Sequence, residues 1–479
     1  MTQLKICFAG DYLPDYHSRS GGADWAFRRI GELIKKGTPK MTPEIFYITI
    51  PSDKEPSTPK DKTPKDKTSP EVYFAPIIEK NFPKKVASYI EILKWYLFQF
   101  DPRVYFFCLN VFKEKKPDVV HVHRIRFLTF AVILAAKKMN IPVCFSVYDY
   151  WTFCVSETLV NEKNDACREF HGVLCWKCLP EKFVLFQKAL LLFRRQVFDF
   201  FIKRIDKFIV LSNSSAGILK DFGIDGRRIE IIPLPYPEDF KTMTQGGGEI
   251  APAAPRNDTL GGGEIASAAP RNDTVGGAPA GGIPGGAPLV PDSILYVGWL
   301  QKRKGLDVLL RAMAGVVKNK PSAKLFVIGP DVKWENKYRE LIDALIKDAG
   351  IQKNIELLGP RPNTVVREYI GRVEMVVVPE QWENMSPVIV GEAMLCSKPV
   401  VGSRLGGIPE FISDGETGYL CGSSDPDDFA EKILLLLGDK TGAAGMGKKG
   451  RSRALEIFDE KKILKAYQGV YEGLADKKH

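Results

Sequence analysis

The 479-residue chain is longer than one domain of usual size, and its 44% hydrophobic content allows large cores, which excludes wholesale disorder. Its formal net charge of +10 favours anionic partners such as nucleotides, anionic lipid surfaces or nucleic acid, without choosing among them. No run reaches the ~18 apolar residues of a spanning helix.

The opening MTQLKICFAGDYLP reads as a strand, and its apolar run is too short for a secretory core. The cysteine count is odd, at nine; the five outside the 154–178 cluster fall mostly in apolar runs like reduced core thiols, which sets the expectation of a cytoplasmic chain. A loop with two glycines follows. An amphipathic helix comes next, with Ala26, Ile30, Leu33 and Ile34 on one face and Gly37 as its stop. Residues 51–70 contain almost only Pro, Lys, Asp, Ser and Thr, which cannot form a core and read as a disordered loop. The runs EIFYITI, PDVVHVH, IPVCFSVYD, KFIVLS and IEIIPLP read as further strands. Helical stretches between them imply a mostly parallel sheet covered on both faces.

Residues 246–288 hold a fifteen-residue unit twice in tandem, which decays into Gly, Ala and Pro. Without an apolar stripe this is a flexible linker and not a solenoid. After it the alternation resumes, with strands SILYVGWL, AKLFVIG, NIELLG, MVVVP and PVVGS separated by helical patterns. The expected organisation is a first domain over 1–240, a low-complexity linker over 241–291, and a second domain over 292–455. A last helix over 456–479 is expected to pack back on the first domain. The fold class is α/β: two doubly wound, Rossmann-like domains facing each other across a cleft. Such sheets bind ligands outside the carboxyl ends of their strands.

Three short stretches in the second half suit a nucleotide. VGWLQKRKG places Lys302, Arg303 and Lys304 between a strand end and a helix, with Gly305 allowing close backbone approach. WENMSPVIVGEAM sets Glu392 among apolar residues near the first turn of a helix, where a carboxylate is costly unless something binds it. SRLGGIPEFISDGETG offers Gly406 and Gly407 just after a strand. Alone, the basic stretch reads as an ordinary solvated turn, and each of the three pieces is weak. Together and in order, VGWLQKRKG, PEQWENMSPVIVGEAM, SKPVV, GGIPE and DGETG resemble the retaining glycosyltransferases of family 4, which have the GT-B fold. That family reads strand, Gly-Arg-Leu, Lys-Gly; then Pro-Ser, Glu, seven residues, Glu-Ala-Met; then the proline and glycine turns. The resemblance spans nearly all of 292–455, and SGGADWAFRRIGELIKKG, PDVVHVH and VYDYW match it more loosely.

The resemblance implies a nucleotide-sugar donor, an acceptor bound by the first domain, retained anomeric configuration and no catalytic metal. It places Lys304 on the donor diphosphate and Glu392 on the ribose hydroxyls. It places Gly21 and Gly22 beside the donor phosphates, and adds Arg303, Ser386, Gly406 and Gly407 to the donor site. Asp149, with Glu383 or Asn384, forms the expected catalytic set. Three departures stand out. Trp299 replaces the family's phosphate-binding arginine. Tyr148 replaces the histidine before the acceptor-loop aspartate. The spacing to Glu392 makes Asn384 a rival of Glu383.

Cys154, Cys167, Cys175 and Cys178 lie in a loop over 151–180 and end in Cys-x-x-Cys. Four thiolates suit a structural zinc that would shape the acceptor pocket; the alternative is four reduced cysteines or a redox pair. His171 reads as a substitute ligand or a surface histidine. The stretch 183–205 is aromatic, apolar and basic. It fits a core helix or one lying on an anionic membrane surface. The expectation is therefore a cytoplasmic hexosyltransferase, with peripheral contact at the inner membrane face, acting on a glycan or lipid-linked acceptor as in cell-surface polysaccharide synthesis. A degenerate nucleotide-sugar binder is the alternative. Nucleic acid is disfavoured because the positive charges are scattered.

Overall fold

The computed structural model describes residues 3–17, 22–37, 43–52, 71–77, 99–161, 166–178, 184–236, 289–332 and 336–476, with single positions between 83 and 94. Gly21, the tandem repeat at 246–288 and nearly all of the 51–70 segment lie outside the described residues. The chain divides into two compact units. One comprises Met1–Pro235 with Phe458–His479, and the other Tyr236–Ile457.

The first unit is built on seven parallel strands: β1 Lys5–Ala9, β2 Glu44–Thr49, β3 Glu71–Phe74, β4 Val119–Val122, β5 Val143–Ser146, β6 Lys207–Val210 and β7 Ile229–Ile231. Their order across the sheet is β3-β2-β1-β4-β5-β6-β7. The chain starts in the middle, winds to one edge, returns and winds to the other, so the switch point lies between β1 and β4. Central strands are apolar throughout because helices cover both faces: β4 and β5 are buried at every position. Helix Gly22–Lys36 lays Ala26, Phe27, Ile30, Leu33 and Ile34 into the core and stops where Gly37 turns left-handed. Asp101 starts helix Pro102–Lys115 by accepting the Arg103 N–H at 3.0 Å, with Pro102 in the first helical turn. The last helix, Glu460–Ala475, packs against helix Gly22–Lys36 and strand β4, burying Ile463, Tyr467 and Tyr471. Arg29 and Glu460 pair across that contact.

The second unit repeats the design with six parallel strands: β8 Ser293–Val297, β9 Lys324–Ile328, β10 Ile355–Gly359, β11 Met375–Val378, β12 Val400–Ser403 and β13 Gly418–Cys421. Their order is β10-β9-β8-β11-β12-β13, with the switch point between β8 and β11. Helices Leu306–Asn319, Asn336–Asp348 and Pro426–Gly438 close one continuous core around Leu309, Met313, Ile342, Val377 and Phe429. Two doubly wound parallel sheets are the architecture that the resemblance to the GT-B fold implies.

Among the described side chains of stretch 183–205, some are core and some surface. Helix Val184–Ile202 buries Leu191, Arg194, Phe198, Phe201 and Ile202, yet leaves Phe193 64% and Phe200 46% exposed, seven positions apart. Among the described residues no helix is long and apolar enough to cross a membrane.

Candidate active site

In the second unit, two turns meet at the switch point. The first leaves β8 through Gly298, Trp299 and a short 3-10 turn, Lys302–Lys304, before helix Leu306–Asn319. The second leaves β11 through residues 379–387 and enters helix Val388–Leu395. Gly305, at φ +71°, lets them touch. A Cβ there would lie 1.8 Å from the Pro379 carbonyl oxygen, so only glycine fits. The Gln381 N–H closes the contact by donating to Arg303 O at 2.8 Å.

Glu380 is the hub of this junction, and the sequence reading passed over it. It is 4% exposed. Its Oε1 accepts from Lys304 Nζ at 2.6 Å and from Asn384 Nδ2 at 3.1 Å, and its Oε2 accepts from the Trp382 indole N–H. A carboxylate this deep is tolerable only because the ammonium and two further donors satisfy it. The Arg303 guanidinium sits 4.6 Å from the Trp382 ring centroid, and its Nε donates to Gln301 Oε1 at 3.0 Å. Arg303 is thus held on an aromatic face. Trp299 is 49% exposed, at the position where the family pattern has arginine.

The turn after β12 supports the same loop from below. Gly406 has φ +60°, and a Cβ there would lie 2.5 Å from Asn384 O; the Gly407 N–H donates to that oxygen at 2.8 Å. The side chain of Asn384 turns inward, accepting the Ser386 N–H at 3.3 Å while its amide group donates to Glu380. Ser386 itself is buried. Glu392 is half-buried and is the fifth residue of its helix, just past the first turn.

In the first unit, the turns after β1, β4 and β5 gather charged groups. Asp11, just past β1, is buried and accepts the N–H groups of Phe127 and Leu128 at 3.0 and 2.9 Å. Burial raises its pKa to about 6 although those two N–H groups and Arg124 pull the other way. Asp149 follows β5 and accepts the Trp151 N–H at 3.0 Å. Its Oδ2 lies 3.8 Å from Arg124 Nε, and Arg124 Nη2 lies 4.0 Å from Glu157. Burial raises the Asp149 pKa against the pull of Arg124, with Glu157 pushing the same way as burial. Tyr148 places its hydroxyl 2.8 Å from His123 Nδ1, and Tyr471 places its own 2.8 Å from Nδ1 of the neighbouring His121. Burial lowers the His121 pKa to about 3 and that of His123 well below its ordinary value. Both rings are therefore neutral structural partners.

Gly22 is the first residue of its helix. The four loop cysteines are free thiols, with Cys154 and Cys175 buried and Cys167 and Cys178 half-buried. Burial pushes the Cys175 thiol up to about 12, and the other three cysteines add to the effect. Among the described residues no group of His, Cys, Asp or Glu side chains is arranged to hold a metal ion. His171 is neither a surface residue nor available as a ligand. It is buried, receives Arg194 Nε on Nδ1 at 3.0 Å, and lies 3.0 Å from Thr152 O through Nε2.

Comparison with known proteins gives the class. A family model described as Glycosyltransferase Family 4 matches residues 72–240, and one described as Glycosyl transferases group 1 matches 286–453. The chain belongs to this glycosyltransferase family. It is 30% identical over 178 residues to N-acetyl-alpha-D-glucosaminyl L-malate synthase of Bacillus anthracis, covering 37% of this chain and 44% of the relative. It is 34% identical over 172 residues to a D-inositol 3-phosphate glycosyltransferase of Corynebacterium kroppenstedtii, covering 35% and 38%. The matching stretch thus spans under half of each relative. Anabaena HepE, solved in complex with UDP, shares the fold at a TM-score of 0.60 and 14% identity, covering 99% of this chain and 100% of that one.

Proposed function

We propose that the protein transfers a sugar from a nucleotide-diphosphate sugar to a hydroxyl acceptor, with retention of anomeric configuration. The observation that carries this is the β8–β11 switch point of the second unit. There a half-buried lysine and a glycine-tightened turn supply a cation and close backbone, and the helix that follows the 379–387 loop carries the carboxylate of Glu392. These are the groups that diphosphate and ribose require. Lys304 would neutralise the leaving diphosphate, and Glu392 would accept the ribose hydroxyls. The inward turn of the Asn384 amide favours Glu383 as the residue that meets the donor sugar. Asp149 would orient the acceptor hydroxyl in the first unit. Lysine and backbone donors are sufficient for the leaving group, so the reading requires no catalytic metal. The names of the relatives favour a hexose-type donor and a hydroxylated acceptor, with a glycan or a lipid-linked glycan as the class for this chain.

The test is turnover of UDP-, GDP- and ADP-sugars by the purified protein with membrane extract, with the anomeric configuration of the product read by NMR. Transfer with retention is expected; neither transfer nor nucleotide release contradicts the proposal. A degenerate binder is the second reading, favoured by Trp299 and by the engagement of the Tyr148 hydroxyl with His123. Donor binding by calorimetry without turnover would select it.

Two subsidiary proposals accompany the main one. The exposed Phe193 and Phe200, with Lys203 and Arg204 beside them, favour peripheral contact with an anionic membrane. Sedimentation with phosphatidylglycerol vesicles tests it, and loss of binding in Phe193→Ser/Phe200→Ser is the expected result. The cysteine spacing favours structural zinc, decided by metal content of the purified protein.

A further inference from the structure

The family pattern carries Pro-Ser where this chain has Pro379-Glu380, and the substitution changes the charge of the site. Lys304 is the cation assigned to the donor diphosphate, and its ammonium is already paired at 2.6 Å with a carboxylate that is itself buried. Three donors fix that carboxylate from three residues: Lys304, Asn384 and Trp382. It therefore cannot swing away as a surface glutamate would. Trp382 is in turn held under Arg303, so the second cation of the turn is positioned through the same hub.

We propose that Glu380 is a built-in counter-anion for Lys304. It competes with the donor diphosphate for one ammonium, and so sets how tightly the diphosphate is held and how readily the nucleoside diphosphate leaves. The inference rests on the donor reading above. Two charges drawn out of water must compensate each other, and removing one leaves the other seeking a new partner. Removing the Glu380 charge leaves the Lys304 ammonium to be compensated by the ligand. Affinity for the diphosphate should then rise. A purely structural Glu380 predicts the opposite sign, because a loosened 379–387 loop would bind the ligand less well.

The experiment is calorimetric titration of the native chain and Glu380→Gln with UDP, GDP, ADP and inorganic pyrophosphate, and with uridine, guanosine and adenosine as uncharged controls. For the diphosphate that binds the native chain, the dissociation constant should fall about tenfold in Glu380→Gln, the scale of one charged hydrogen bond. The matching nucleoside should be unaffected. In turnover, KM for the donor and kcat should fall together, since release of a more tightly held product slows the cycle. Glu380→Ser, which restores the family residue, should behave alike and serves if the glutamine variant does not fold. Unchanged or weaker diphosphate binding in a folded variant overturns the inference and leaves the donor reading standing. A native chain that binds none of the diphosphates removes the donor reading, and this inference with it.

Discussion

The two units use the same strand order around a central switch point, yet they bury different titratable groups. The first buries titratable groups in and just past its strands, Asp11, His121 and His123, with Asp149 half-buried beside them. All five histidines of the chain belong to it. The second unit contains none, and it keeps its central ion pair, Lys304 with Glu380, on a loop above the sheet. The winding provides a place for a ligand, and the residues on the turns decide the chemistry.

Acid should separate the units by the largest margin. A buried His121 titrating near 3, against an ordinary value of about 6.5, favours its neutral form in the folded state. Its contribution is full above about pH 6.5 and is lost as pH falls toward 3, at about 1.4 kcal/mol for each pH unit. His123 and His171 act in the same direction. Asp11 opposes them: with its folded pKa raised to about 6, it contributes most below about pH 4 and loses that contribution as pH rises through 6. Hydrogen exchange resolved by peptide, at pH 7.5 and 4.5, should show the first unit opening first in acid. Asp11→Asn should steepen the fall between pH 6 and 4. Equal loss in both units would contradict the comparison.

In the second unit the backbone is the sensitive part. Gly305→Ala forces a side chain into a left-handed position and against Pro379 O. The conformation alone costs about 1–2 kcal/mol, and the clash adds to it. A urea melt should show at least that loss, and nucleotide affinity should fall with it. Gly406→Ala should act the same way through Asn384. A smaller effect separates Glu383 from Asn384. Glu383→Gln should raise KM for the sugar donor with little change in melting, whereas Asn384→Ala should lower stability by about 1 kcal/mol, the scale of its lost hydrogen bonds. The reverse pattern would give Asn384 the sugar contact.

Apolar runs and glycine stops made the alternation of strands and helices legible, because burial on both sheet faces imprints directly on composition. Order and spacing singled out Lys304, Glu392, Gly406 and Gly407 as donor-site candidates. Glu380 was missed because an acid after Pro379, beside Gln381, reads as a surface turn; only the tight approach at Gly305 buries it. Its signal lay in the Pro-Ser pattern that the chain breaks. Asp11 looked like the first polar residue after a strand, and its burial comes from the 124–130 turn crossing over it. His171 was misread for the same reason: packing under helix Val184–Ile202 is a tertiary fact with no local mark.

The central claim is that the second unit holds a nucleotide-sugar through its β8–β11 turns, with Glu392 on the ribose. Titration of UDP, GDP and ADP into the full chain and into Glu392→Gln tests it most directly. The account predicts that one of them binds the native chain and loses roughly 1–3 kcal/mol of affinity in the variant, the scale of a hydrogen bond to a charged group, with the melting temperature unchanged. Equal affinity in the two proteins would contradict it.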